Sequence, residues 1–184
     1  MKWMLALAVS AAPAFAQACP EPPDYTAELK PLLDGLQMAT SETEARPFTA
    51  MMWDVYLRAP DDVAQSVLDR GILRQRSFDL AGAKSDFDTL VNYCPDYAEG
   101  YNQRAFTNYL AGRYDDALGD LDRAISLSPT HVGALSGRAL TLMQMGRLEE
   151  ARIQMLEAVE FNPWLSERAL LEFGQPLGPK DQDL

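Results

Sequence analysis

AEGYNQRAFTNYLAGRYDDALGDLDRAISLSPTH, residues 98–131, and VGALSGRALTLMQMGRLEEARIQMLEAVEFNPWL, residues 132–165, are two copies of one 34-residue pattern. Pro129 and Pro163 stand near their ends, and Pro95 lies another 34 residues upstream. Four more rows hold the same interval: Gly71, Ala105 and Ala139; Ala83, Ala117 and Ala151; Phe87, Leu121 and Met155; Leu90, Ala124 and Ala158. Register kept in five rows marks a tandem array over 64–97, 98–131 and 132–165.

Each unit reads as a helical hairpin. In 114–127 the apolar residues Tyr114, Ala117, Leu118, Leu121, Ala124, Ile125 and Leu127 recur mostly at intervals of three and four, the stripe of an amphipathic helix. A partner helix runs from Glu99 to Leu110 and stops at Gly112, while Gly146 separates 135–145 from 148–161 in the same way. The prolines end each second helix. Small residues at the matched positions allow the two axes of a hairpin to approach, and the remaining apolar face needs a neighbouring hairpin to cover it.

This pattern resembles the tetratricopeptide repeat family. That family's unit asks for a small residue at position eight, Ala at twenty, a large apolar residue at twenty-four, a small one at twenty-seven and Pro at thirty-two. The matching units span 102 of the 184 residues. Departures are Val67, Tyr101 and Leu135 at position four, where the family favours Trp, and Leu90 in place of a small residue. The resemblance implies an all-α, right-handed solenoid of the tetratricopeptide type, with three regular hairpins, a diverged N-terminal hairpin and a C-terminal capping helix. It also implies a concave groove lined by the first helices through Gln65, Leu68, Ile72, Gln75, Glu99, Asn102, Phe106, Tyr109, Gly133, Ser136, Leu140 and Met143. Leu68, Ile72, Asn102, Phe106, Tyr109, Leu140 and Met143 are the candidate protein-binding set, provided the chain's own flanking helices leave them free. Chaperone-binding members clamp a peptide carboxylate with Lys, Asn and Arg. Those positions here hold Leu68, Ile72, Gln103, Gly133 and Gly137, so that clamp is missing.

Residues 1–16 carry Lys2, a short apolar stretch and an A-x-A ending, the pattern of a secretory signal peptide cleaved after Ala16. Residues 17–25 read as an extended tether rich in proline. Residues 26–63 read as the diverged hairpin, capping the array. Its first helix carries Leu29, Leu32, Leu33, Leu36 and Met38, and its second opens on a Ser41–Glu44 capping box and ends near Leu57. Residues 166–174 form a capping helix, and 175–184, rich in Pro, Gly and Asp, a disordered tail. Cys19 follows Ala16, Gln17 and Ala18 instead of a Leu-rich lipobox, so lipid anchoring is not expected. An exported chain with two cysteines makes Cys19 and Cys94 a candidate disulfide, the alternative being two independent thiols.

A net charge of -11 repels nucleic acid and anionic lipid surfaces. After residue 16 no apolar run is long enough for a membrane span. His131 is the only histidine, and no phosphate loop, nucleophile elbow or C-x-x-C pair occurs. The pairs Asp115–Asp116 and Glu149–Glu150 suit helix starts. Arg70, Arg104 and Arg138 form a ladder that reads either as a phosphate or carboxylate reader or as ion pairs to Asp86 and Asp120. Gln154 leaves Arg138 the freest of the three. No catalytic residue, metal or cofactor is expected. The expectation is a non-enzymatic protein-interaction scaffold or adaptor in the bacterial periplasm, binding a peptide or helix. The alternatives are a small-ligand-binding or accessory subunit of an envelope enzyme complex and a self-associating structural protein.

Overall fold

The computed structural model describes residues 18–179, so the leader at 1–16 and the last five residues of the tail lie outside it. Among the described residues the chain is all-α. The helices are α1 (Thr26–Met38), α2 (Glu42–Tyr56), α3 (Asp62–Arg76), α4 (Leu80–Tyr93), α5 (Ala98–Leu110), α6 (Tyr114–Leu127), α7 (Val132–Gln144) and α8 (Leu148–Phe161). A 3₁₀ helix, Ser166–Leu171, follows. α3 pairs with α4, α5 with α6 and α7 with α8, and each pair packs on the next.

One turn geometry closes all three hairpins. Phe78, Gly112 and Gly146 take φ of 64°, 71° and 75°, and each donates its N–H three residues back, to Gln75, Tyr109 and Met143. The following residues, Asp79, Arg113 and Arg147, reach back five, to Arg74, Asn108 and Leu142. Together these are the paired bonds of a Schellman stop. The first repeat makes the same turn with Phe78, exposed to 71%, where the other two have glycine.

Inside each hairpin the facing residues trade volume. Ala105 faces the Leu121 layer and Ala139 the Met155 layer, whereas Gly71 leaves room for Phe87; a Cβ on Gly71 would lie 2.5 Å from the Phe87 ring. Ala83, Ala117 and Ala151 are fully buried opposite them.

The ends depart from expectation. α2 begins with Ser41 accepting from the Glu44 N–H at 3.3 Å, but the Glu44 carboxylate turns to the Thr40 N–H and hydroxyl, both at 2.8 Å, one residue earlier than a capping box requires. Pro47 is carried within α2, which continues through it. The α1–α2 hairpin does not stack on α3 as a cap. It crosses to the far side of the array, where Leu29, Leu36, Met52, Val55 and Tyr56 share a core with Val132, Phe161, Trp164 and Leu165. Gln37 donates to the Glu160 carbonyl at 2.6 Å, and the Trp164 indole N–H to the Leu36 carbonyl at 3.0 Å. Besides this largely aliphatic core, two aromatic side chains of α2 meet α7 and its cap. Trp53 lies on Gly133, and Tyr56 stacks on His131 with centroids 4.0 Å apart.

At the other end the capping segment is a 3₁₀ helix, with Leu170 and Leu171 against the last hairpin. Residues 175–179, expected to be disordered, are folded: Leu177 is 1% exposed among Ala139, Leu142, Ala151 and Met155, and its carbonyl accepts from Arg152 at 2.5 Å. That leucine supplies the cover which a following repeat would give.

Candidate functional site

Along the inner face, α3, α5 and α7 form one wall of a groove and α2 forms the other. It has a volume of about 520 Å³. Ile72, Asn102, Phe106, Tyr109 and Leu140 line it, with Trp53 and Leu57 opposite. Phe106 is 48% exposed in its middle. Two of the expected residues lie elsewhere. Leu68 is fully buried in the α3–α4 core with Phe87, where Leu57 and Ala59 of the segment before α3 also pack. Met143 packs toward the C-terminal core with Leu142 and Met155, drawn by the apolar surface that Leu177 completes. Trp53 and Leu57 were not foreseen, since nothing in the α2 sequence states which helices it faces.

The groove floor is polar and internally bonded. Gln75 donates to the Thr107 hydroxyl at 2.9 Å, and Asn102 to the Glu99 carboxylate at 3.0 Å. At its edges stand one cation, Arg76, and one carboxylate, Glu167.

Glu99 is 1% exposed, placed under α2 rather than in the open groove. His131 Nδ1 accepts from the Ala134 N–H at 3.2 Å, capping α7, so the ring proton sits on Nε2 and is donated to Glu99 Oε2 at 2.8 Å. Gln103 supplies a further donor to Glu99 at 2.6 Å. Burial pushes the Tyr56 and Tyr97 phenols above their ordinary range. Both stay protonated, Tyr56 donating to the Thr130 carbonyl at 2.9 Å and Tyr97 to the Tyr56 carbonyl at 2.8 Å. These bonds lock α2 to the N-terminal ends of α5 and α7. His131 is therefore a cap and a bridge between repeats.

The arginines act structurally. Arg70 reaches Asp86 at 2.8 Å and 2.9 Å, and Arg74 Nη1 lies 3.0 Å from the other Asp86 oxygen. Arg104 bonds Asp120 at 2.5 Å and Asp88 at 3.1 Å. Arg138, expected to be the freest, bonds Asp122 at 2.7 Å and Gln154 at 2.9 Å. Arg104 and Arg138 thus each tie their own hairpin to the one before, which a single-hairpin reading missed. On the opposite edge Cys19 and Cys94 are joined, their Cα atoms 5.2 Å apart, and fasten the N-terminal segment over a second cleft beside Tyr25, Tyr56 and Tyr97. No group of three His, Cys, Asp or Glu side chains among the described residues is placed to hold a metal ion. No described helix is long and apolar enough to cross a membrane.

Stacked hairpins of this length, turn and small-residue register define a tetratricopeptide-repeat fold. Residues 109–163 match the family model described as Tetratricopeptide repeat. Among solved structures, the first repeat domain of Spaghetti (RPAP3) bound to an HSP90 peptide is similar at 19% identity and a TM-score of 0.56, over 58% of this chain and 84% of that one. The TPR2B domain of yeast Sti1, in complex with an Hsp70 peptide, has the same identity, with 58% and 86% coverage and a TM-score of 0.54. MamA is similar over 84% of this chain and 83% of its own, at 16% identity and a TM-score of 0.51. No curated protein matches the chain in sequence.

Proposed function

We propose that the chain is a non-enzymatic adaptor of the bacterial periplasm that holds a protein segment in the groove between α2 and the first helices. The observation that carries this is Phe106, a large aromatic side chain 48% exposed at the centre of a groove whose other apolar members are Trp53, Leu57, Ile72 and Leu140. Two of the similar structures are complexes with peptides, which supports a peptide as ligand. The ligand differs in chemistry from theirs. Leu68 and Gly133 stand where a carboxylate clamp needs polar side chains, Leu68 is in the core, and Gly133 is covered by Trp53. The leader at 1–16 and the cysteine pair support export.

The test is selection of peptides from a displayed library on the immobilised chain, followed by anisotropy titration. Phe106→Ala is expected to weaken selected peptides by about 2 kcal/mol, roughly thirtyfold. Peptides that bind Phe106→Ala and Leu140→Ala as tightly as the parent would place the site elsewhere. Recovery in the osmotic-shock fraction of a chain beginning at Gln17 is the expected result for location, and retention of residues 1–16 in the cytoplasm would refute it.

A further inference from the structure

We propose that the outer face of α3 and the free face of α2 form a self-complementary surface through which two copies of this chain pair. The array itself supplies the template. Position by position, Leu73 corresponds to Thr107 and Thr141, and Val63 to Tyr97 and His131. All four of those later residues are buried, while Leu73 is 68% exposed and Val63 50%. The arginine ladder shows the same gap. Arg104 and Arg138 bond an acceptor sixteen residues after them and another sixteen before, and their side chains are 21% and 24% exposed. Arg70 has the later acceptor, Asp86, and is 47% exposed. α3 therefore presents the surface that takes a preceding second helix bearing a carboxylate.

That helix is encoded in the chain. Asp54 precedes Arg70 by the same sixteen residues as Asp88 precedes Arg104 and Asp122 precedes Arg138. It lies on the face of α2 turned away from the core, with Met51, 44% exposed, one turn before it. α2 cannot bring this face to its own α3 without withdrawing Trp53 from Gly133 and Tyr56 from His131. A second copy meets it with no such loss. Both patches are exposed at once, and the two helices carrying them are separated by residues 57–61 alone, so each copy offers donor and acceptor side by side. A twofold dimer follows, with Asp54 of each copy on Arg70 of the other and Met51 against Leu73.

Sedimentation equilibrium on the processed chain tests this. For the chain beginning at Gln17, the weight-average mass should rise with concentration from the monomer value toward twice that value. Asp54→Lys or Arg70→Glu alone should weaken pairing about a hundredfold or more, since each dimer would carry two like-charge contacts. An equimolar mixture of the two variants should recover it, because one junction is then native and the other reversed. Leu73→Lys, which touches no core residue, should also give a monomer with unchanged helix content by circular dichroism. A monomer up to about 1 mM, or association indifferent to these substitutions, overturns the dimer. Failure of the mixture to recover association would instead assign the Asp54–Arg70 contact to one chain and equally overturn it.

Discussion

Phe78 is the place where the first repeat makes a glycine's turn without a glycine, and replacing it should stabilise the protein. Its φ of 64° matches Gly112 at 71° and Gly146 at 75°, and the same pair of stop bonds surrounds all three. An L-residue in this region costs about 1–2 kcal/mol because Cβ crowds the following carbonyl. Glycine removes that term but loses about 0.5–1 kcal/mol through the greater freedom of its unfolded chain. The ring offers little to set against the change, being 71% exposed. Phe78→Gly should therefore gain about 0.5–1 kcal/mol, which raises the midpoint of thermal unfolding by about 1–4 °C for a domain of this size.

Thermal and urea unfolding of Phe78→Gly and Phe78→Ala separate backbone from ring. Alanine keeps the positive φ and discards the ring, so Phe78→Ala should be neutral or slightly destabilised, with glycine about 1 kcal/mol above it. The reverse change, Gly112→Ala, should cost a similar amount in the second repeat. If Phe78→Gly is no more stable than Phe78→Ala, the positive φ is not a source of strain and the reasoning fails.

Gly71→Ala places a Cβ 2.5 Å from the Phe87 ring and should destabilise by about 1–3 kcal/mol. Phe87→Leu, which restores the pairing found in the second repeat, should recover part of that in a double-mutant cycle measured by urea unfolding. His131→Ala removes the α7 cap and leaves Oε2 of the buried Glu99 carboxylate without its imidazole partner. A loss of about 3 kcal/mol or more is expected by the same assay, accompanied by faster amide exchange at the start of α7. Leu177→Ala should cost about 2 kcal/mol, and amide exchange should report it in α8 while leaving α3 unchanged.

The regular hairpins were legible because each residue there answers to two constraints at once, a helical period within the hairpin and the 34-residue interval between hairpins. α6 and α8 were placed to the residue for that reason, each bracketed by a glycine turn and a proline. The seat of the α1–α2 hairpin was not legible. The sequence marks Leu29, Leu32, Leu33 and Leu36 as apolar positions of one helix, but Val132, Phe161 and Trp164, which pack in the same core, lie far along the chain and carry no matching mark. Leu177 sits alone between Pro176 and Gly178, where a single apolar residue has no period to be read from. Glu99 and His131 are 32 residues apart, on the two first helices that α2 covers, and their pairing depends on that cover.

The position of α2 decides what the groove can take. In an open array the first helices present one continuous slot, and the second position of the third unit would be free to carry any side chain. Here it is Gly133, and a Cβ there would come 2.6 Å from the Trp53 ring, so the close approach of α2 requires this glycine. The seat is held by three independent groups, the Trp53–Gly133 contact, the Tyr56 stack on His131 and the Trp164 bond to Leu36. Displacing it would cost all of them together, whereas the remaining slot of about 520 Å³ lies within the size range of pockets that enclose a few side chains. The arrangement therefore favours a ligand that inserts two or three apolar side chains beside Phe106 and leaves its own backbone at the rim. A ligand of that kind meets Arg76 and Glu167 in the lining, and these two opposite charges give the slot a polarity that its internally bonded neutral floor lacks.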